Sequence, residues 1–243
     1  MVVFLGDVHN YSKIILYCDA IELSNCDLIQ VGDFGVGVDG NDMNRLKELN
    51  DYLVSKNIML HVCRGNHDDP DFFNGSFRTI FSNIDLIPDY TIKNIDNKNI
   101  LFIGGATSVD RKSNKNVTDI TNKIDGTWTG RTPDVDYWEN EKIVFNEEFL
   151  RTAENIDIVV THSAPSFVQP YIQSGAEKWF DSDPTLEEEL HQERNLLSDV
   201  CFILRQKNNI QNWFYGHFHF SNLEYYENIR FQQLAIMEFY ELR

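Results

Sequence analysis

Five times in this chain a short apolar run breaks into a polar turn carrying Asp, Asn or His. The turns are GDVH at 6–9, GDFG at 32–35, GNHD at 65–68, THSAP at 161–165 and GHFH at 216–219, and four of the five open on glycine. Short β-branched runs alternating with amphipathic stretches form the pattern of an α/β domain. In such architectures ligands bind beyond the carboxyl ends of the strands. The pattern therefore predicts strands that deliver their polar turns to one edge, and a site assembled from loops far apart in sequence.

The runs before those turns read as strands: residues 2–5, 27–31, 58–63, 157–160 and the stretch NWFYG beginning at 212. A helix is expected over about 12–23, with Ile14, Ile15, Cys18 and Ile21 at helical spacing, and a second over 42–56, with Met43, Leu46, Leu49 and Leu53 on one face. A short helix is expected near 146–154. A long one should run from Pro184 to about Lys207, with Asp183 at its N-cap and the acidic run Glu187, Glu188, Glu189 at the positive end of its dipole rather than in a metal cage. Residues 90–95 and 100–105 should pair through a short turn, and a hairpin should fold around Glu227–Asn228. The chain reads as one domain over 1–243, with a lid-like insertion at about 106–142 that is polar and poorly periodic.

Composition bounds the partners. A net charge of −17 repels polyphosphate backbones, so duplex nucleic acid is not an expected partner, although bound cations can reverse the sign locally for a small phosphorylated substrate. No apolar run approaches membrane-spanning length, and the N-terminus lacks the features of a signal peptide. The four cysteines, Cys18, Cys26, Cys63 and Cys201, form no CxxC pair and read as reduced, buried small hydrophobes. The expected location is the cytoplasm. Oligomeric state is left open.

Histidine carries the chemical signal. Five of the seven histidines, His9, His67, His162, His217 and His219, fall in the five turns, beside Asp7, Asp33 and Asn66. His61, within a strand, and His191, on a helix, read as structural. Imidazole, carboxylate and amide oxygen without thiolate suit manganese first, with iron, zinc, magnesium or nickel as alternatives, rather than a soft copper site.

In this order the blocks Asp-x-His, Gly-Asp, Gly-Asn-His-Asp, His and Gly-His-x-His resemble the signature of the calcineurin-like metallophosphoesterases, and the small bacterial and phage members in particular. The resemblance implies an α/β fold of two packed mixed sheets flanked by helices, an αββα sandwich, with two divalent metal ions at one edge. It also implies that Asp7, His9 and His219 hold the first metal, that Asn66, His162 and His217 hold the second, and that Asp33 bridges them. GHFH would then be a split pair rather than one chelating unit. His67 would protonate the leaving oxygen while hydroxide on the metals, roughly 3.5–4 Å apart, attacks phosphorus.

One departure narrows the class. The second block of the protein serine/threonine phosphatases extends to Gly-Asp-x-x-Asp-Arg-Gly, and here it reads GDFGVGVDG, with no arginine. Asp68 is a neighbour that could orient His67. The stretch GGATSVDR, followed later by YWENE, is similar to the Gly-Gly-Ala…Asp-Arg/Lys…Trp-Trp-x-x-Glu pattern of the small members. Asp110, Arg111, Arg131 and Trp138 are thus candidate substrate contacts, and Arg64, just before GNHD, is another. The expected activity is hydrolysis of a phosphodiester or nucleotide. A phosphomonoesterase, a nuclease acting on short single strands and a catalytically silent scaffold are the alternatives.

Overall fold

The computed structural model describes residues 1–37, 42–75, 80–109, 111, 138–170 and 176–242. Its strands form two mixed sheets. In the first, β1 (Val2–Leu5), β2 (Cys26–Gln30), β3 (Ile58–Val62) and β4 (Ile84–Leu86) run parallel, and β11 (Phe239–Glu241) pairs antiparallel with β1. The second has the order β5 (Thr91–Ile95), β6 (Lys98–Ile103), β7 (Ile158–Thr161), β8 (Asn212–Tyr215), β10 (Ile229–Gln233), β9 (Asn222–Tyr226). Its centre, β6 to β7 to β8 to β10, is parallel, and antiparallel hairpins close both edges.

Alternation along the strands builds the layers, because successive side chains point to opposite faces. Val3 and Leu5 face a core shared with Ile14 and Cys18 of helix α1 (Lys13–Ala20) and with Leu46, Leu49 and Leu53 of α2 (Asp42–Lys56). Val2 and Phe4 face the other way, into a core between the sheets with Ile29, Val31, Phe102, Val160 and Phe214. Phe4 stacks on Phe214 with ring centroids 3.6 Å apart. On the far side, α3 (Glu147–Thr152) and α4 (Leu186–Leu204) cover the second sheet through Leu150, Leu197, Val200 and Leu204. The order is therefore helices, sheet, sheet, helices: the αββα sandwich expected above.

The sequence reading and the structure differ at several ends. Helix α1 stops at Ala20, so Ile21 lies outside it, half exposed. Met43 of α2 is likewise exposed. Helix α4 starts at Leu186 rather than Pro184, because the Asp183 carboxylate is held by Arg111 and does not cap the helix. The short strands β4 and β11 were not expected: β4 carries a buried Asp85 paired with Lys93, and β11 is largely uncovered. The tight turns at Asp96–Asn97 and Glu227–Asn228 hold positive φ at both residues, as a two-residue hairpin of the mirror-image type requires. All four cysteines are buried and unpaired.

Candidate metal centre

The five polar turns meet at one edge of the seam between the sheets. Asp7 and His9 follow β1, Asp33 follows β2 and Asn66 follows β3, so four side chains come from the first sheet. His162 follows β7 and His217 and His219 follow β8, so three come from the second. Neither sheet carries the whole set.

Two clusters result. Asp7, His9, Asp33 and His219 can each offer one ligand atom, all within 4.8 Å of one another, and so can Asp33, His162 and His217. Asp33 belongs to both. Asn66 joins the second cluster, with Oδ1 3.1 Å from His162 Nε2. His9 Nε2 and His219 Nε2 approach to 2.9 Å, with their rings edge-to-face.

Side-chain direction is set from outside the clusters. His162 Nδ1 lies 3.0 Å from the carbonyl of Val31, which fixes that nitrogen as the donor and turns Nε2 towards Asp33 Oδ1 at 3.1 Å. This is how metal-binding histidines are ordinarily oriented. The backbone N–H of His217 donates to both Asp7 oxygens at 2.9 and 3.1 Å, and that of His67 donates to Asp33 Oδ1 at 2.8 Å. Glycine makes room for these contacts. A Cβ on Gly216 would lie 1.9 Å from Asp7 Oδ1, and one on Gly32 would lie 2.2 Å from His162 Nδ1.

The backbone is strained at four of the clustered positions. His9, Asp33, His217 and His219 have φ between 54° and 66°, a region that non-glycine residues enter rarely and at a cost of about 1–3 kcal/mol each. That four of the seven clustered side chains sit there shows turns bent so as to bring these side chains together.

Electrostatics in the metal-free protein follow from burial of opposite charges. Burial alone would raise Asp33, but His162, His67 and His9 outweigh it and hold the carboxyl well below its usual range. Burial would lower His162, yet Asp33, Asp7 and the Val31 carbonyl lift it to about 10. Burial raises Asp7 to about 8, with His162 opposing and Asp33 adding. Burial pulls His9 down to about 4 and His217 well below the ordinary imidazole value. Buried carboxyl groups facing neutral imidazoles and one imidazolium make a donor set that divalent cations fit by displacing its protons.

The supporting shell holds Asp68, offered by the sequence as an orienter of His67, and three residues left unassigned there, Gln30, Ser108 and Glu141. Asp68 is fully buried and accepts from the backbone N–H groups of Gly65, Phe34, Gly35 and Val36, which ties the second turn to the third. Gln30 is buried at the end of β2, donating to the carbonyl of Gly32 and accepting from its N–H at 3.1 Å. Its signal was visible as one amide at the apolar end of a strand whose other polar residue is Asp27. Ser108 and Glu141, both buried, connect to Asn66: Asn66 Nδ2 donates to Ser108 Oγ at 3.0 Å, and Ser108 donates to Glu141 from Oγ at 2.8 Å and from N at 2.6 Å. Burial lifts the Glu141 carboxyl to about 7, with the Ser108 donors pulling it back.

Three candidate substrate contacts are corrected. Arg64 is 4% exposed, with Nη1 on the Glu141 carbonyl at 2.7 Å and Nη2 on Asp89 at 2.8 Å, so its guanidinium binds protein rather than phosphate. Arg111 is buried between Asp183 at 2.8 Å and Glu189 at 2.5 Å. Trp138 is buried too, an anchor rather than an open stacking face. Asp110 and Arg131, with most of the lid-like insertion, lie outside the described residues. His67 is half-buried, its ring 5.2 Å from that of His9. His61 lies 3.0 Å from Asp27, in the structural role expected.

Beside the second cluster a cavity of about 470 Å³ opens, walled by His217 and His219 on one side and by Trp179, Phe180, Phe218 and His191 on others. Among the described residues no helix is long and apolar enough to cross a membrane.

Residues 1–221 match a family model described as calcineurin-like phosphoesterase. Among curated proteins no sequence matches at a significant level. One solved structure superposes with a TM-score of 0.56 at 12% identity, over 97% of this chain and 90% of that one. A phosphopantetheinyl hydrolase from Mycobacterium tuberculosis gives 0.42 at 14% identity over 97% and 90% of the two chains, and a dimetal phosphatase from Danio rerio gives 0.48 at 15% over 93% and 76%. At such identity the first of these speaks to the fold alone, and the other two carry no weight here.

Proposed function

The chain belongs to the calcineurin-like phosphoesterases, and from that premise we propose that it is a dinuclear-metal phosphohydrolase acting on small phosphodiesters or nucleotides. The observation that carries this reading is Asp33, a buried carboxylate common to two ligand clusters. One carboxylate between two dications offsets a repulsion that neutral ligands could not.

In this reading Asp7, His9 and His219 hold one ion, Asn66, His162 and His217 the other, and Asp33 both. Manganese is the first choice of metal, with iron, zinc, magnesium or nickel as alternatives. Bound there, a pair of dications lowers the pKa of a water and neutralises charge on the phosphoryl oxygens. The remaining chemistry belongs to the protein. His67, half-buried and held at the site edge through its N–H on Asp33, gives a proton to the leaving oxygen. Histidine is the side chain that most often serves as a general acid.

The cavity supports the substrate class. Its aromatic wall of Trp179, Phe180 and Phe218 adjoins His217 and His219 and has room for the organic part of a nucleotide. A net charge of −17 supports a small substrate over duplex nucleic acid, and the unpaired cysteines support a reducing, cytoplasmic location.

The test is turnover of bis-p-nitrophenyl phosphate against p-nitrophenyl phosphate with Mn²⁺, with His67→Ala and Asp33→Asn as controls. Faster diester hydrolysis, lost in Asp33→Asn and lowered by about tenfold in His67→Ala, supports the proposal. Faster monoester hydrolysis makes the protein a phosphatase, and no turnover with any of the metals named makes it a scaffold.

A further inference from the structure

We propose that Glu141 is a positioning residue for the second metal site, acting through Ser108 to set which face of the Asn66 amide meets the ion. The inference rests on the reading of Asn66 as a ligand. An asparagine side chain is nearly symmetric in shape, so its oxygen and nitrogen can exchange places by rotation at little steric cost, and only hydrogen bonding decides between them. For Asn66 the decision is made two contacts away. A serine hydroxyl has one proton. That of Ser108 goes to Glu141 Oε2 at 2.8 Å, while the Ser108 N–H engages Oε1 at 2.6 Å. With Glu141 ionised, the Ser108 oxygen can therefore only accept from Asn66, and only the amide NH₂ can satisfy it, as it does at 3.0 Å. Oδ1 is left facing His162 Nε2 at 3.1 Å, inside the second cluster. A flipped amide would set an oxygen lone pair against Ser108 and an NH₂ against the ion.

Glu141 is itself fixed. It is fully buried, and Arg64, two residues before Asn66, donates to its backbone carbonyl at 2.7 Å while anchored to Asp89. The contacts close a ring from Arg64 along the chain to Asn66, across to Ser108, on to Glu141 and back to Arg64. Burial keeps water from supplying a substitute partner for any member.

The experiment is Mn²⁺ titration of the full chain by calorimetry, with thermal melting as a check on folding, for Glu141→Gln, Ser108→Ala, Asn66→Ala and Asn66→Asp, and for Glu141→Gln combined with Asn66→Asp. Partners of this kind ordinarily change metal affinity by about 10–100-fold. Glu141→Gln and Ser108→Ala should each weaken the second Mn²⁺ by about tenfold or more and leave the first unchanged. An Asp at 66 presents oxygen whichever way it turns, so Glu141→Gln should cost nothing further in that background. Equal losses in both backgrounds would mean that Glu141 only supports the fold, which overturns the proposal. Loss of the second Mn²⁺ in Asn66→Ala without any effect of Glu141→Gln or Ser108→Ala would overturn the relay and leave the ligand reading intact. An Asn66→Ala protein that still binds two Mn²⁺ ions would overturn both. Should Glu141→Gln fail to melt cooperatively, Ser108→Ala, which removes one oxygen atom, decides the question alone.

Discussion

Asp33 Oδ1 and His162 Nε2 lie 3.1 Å apart, both fully buried, and the contact joins a loop of one sheet to a loop of the other. In the metal-free protein it is an ion pair, with the carboxyl held low and the imidazole raised to about 10. A ligand nitrogen has to be unprotonated, so the ion and the proton on His162 compete for one lone pair.

Metal uptake near neutral pH should therefore release a proton from His162, and a second from Asp7, whose carboxyl titrates at about 8. Apparent Mn²⁺ affinity should rise roughly tenfold or more per pH unit between about pH 6 and 8. Calorimetry in two buffers of unlike ionisation enthalpy checks this, and a heat that does not depend on the buffer contradicts it. For the chelated protein the sign runs the other way. The stability that His162 contributes is fully present below its unfolded pKa of 6.5 and is lost as pH climbs to about 10, which thermal melts across that range would show.

His67→Ala should leave metal content unchanged and lower kcat by about 10²–10⁴-fold for substrates with a poor leaving group. With a nitrophenolate leaving group the loss should shrink towards about tenfold, since an anion that leaves unaided needs no acid. Equal losses across leaving groups would remove His67 from the acid role.

Gly216→Ala places a Cβ where Asp7 Oδ1 stands, at 1.9 Å. The expected result is loss of the first metal with retention of the second, read by metal analysis after gel filtration. Activity should fall by at least about 10²-fold, the scale on which catalytic electrostatics are lost when one contributor is removed.

Arg111→Ala strips the cationic partner from Asp183, which is 1% exposed, and from Glu189. Removing one member of a buried pair costs about 3–5 kcal/mol. The variant should melt well below the parent with KM unchanged at temperatures where both are folded. A raised KM at unchanged stability would restore Arg111 as a substrate contact.

Much of this could be read from the chain because the site is a property of strand ends. The runs before Asp7, Asp33, Asn66, His162 and His217 are short and apolar, and the turns after them are polar and mostly glycine-led, so the edge where they meet follows from parallel pairing. The seven side chains were singled out by family resemblance, and the structure brings them together, six in the two clusters and Asn66 beside His162. Arg64 and Arg111 were misread because a cation in an acidic protein looks available. Nothing in one dimension shows that Asp89 and Glu141 enclose Arg64, or that Asp183 and Glu189 enclose Arg111. Asp183 beside Pro184 has the composition of a helix start, and its long-range pairing moved that start to Leu186. Strands β4 and β11 escaped for the opposite reason: three residues are too few to show a period.

The division of the clustered side chains, four from one sheet and three from the other, places metal capture in time. Neither half can assemble either cluster until Phe4 and Phe214 have stacked across the seam and brought the loops together. During refolding, ion uptake is then a late event whose rate reports when the two halves meet. A metal-sensitive dye released or quenched in a stopped-flow cell would time the docking of the sheets without any label on the chain.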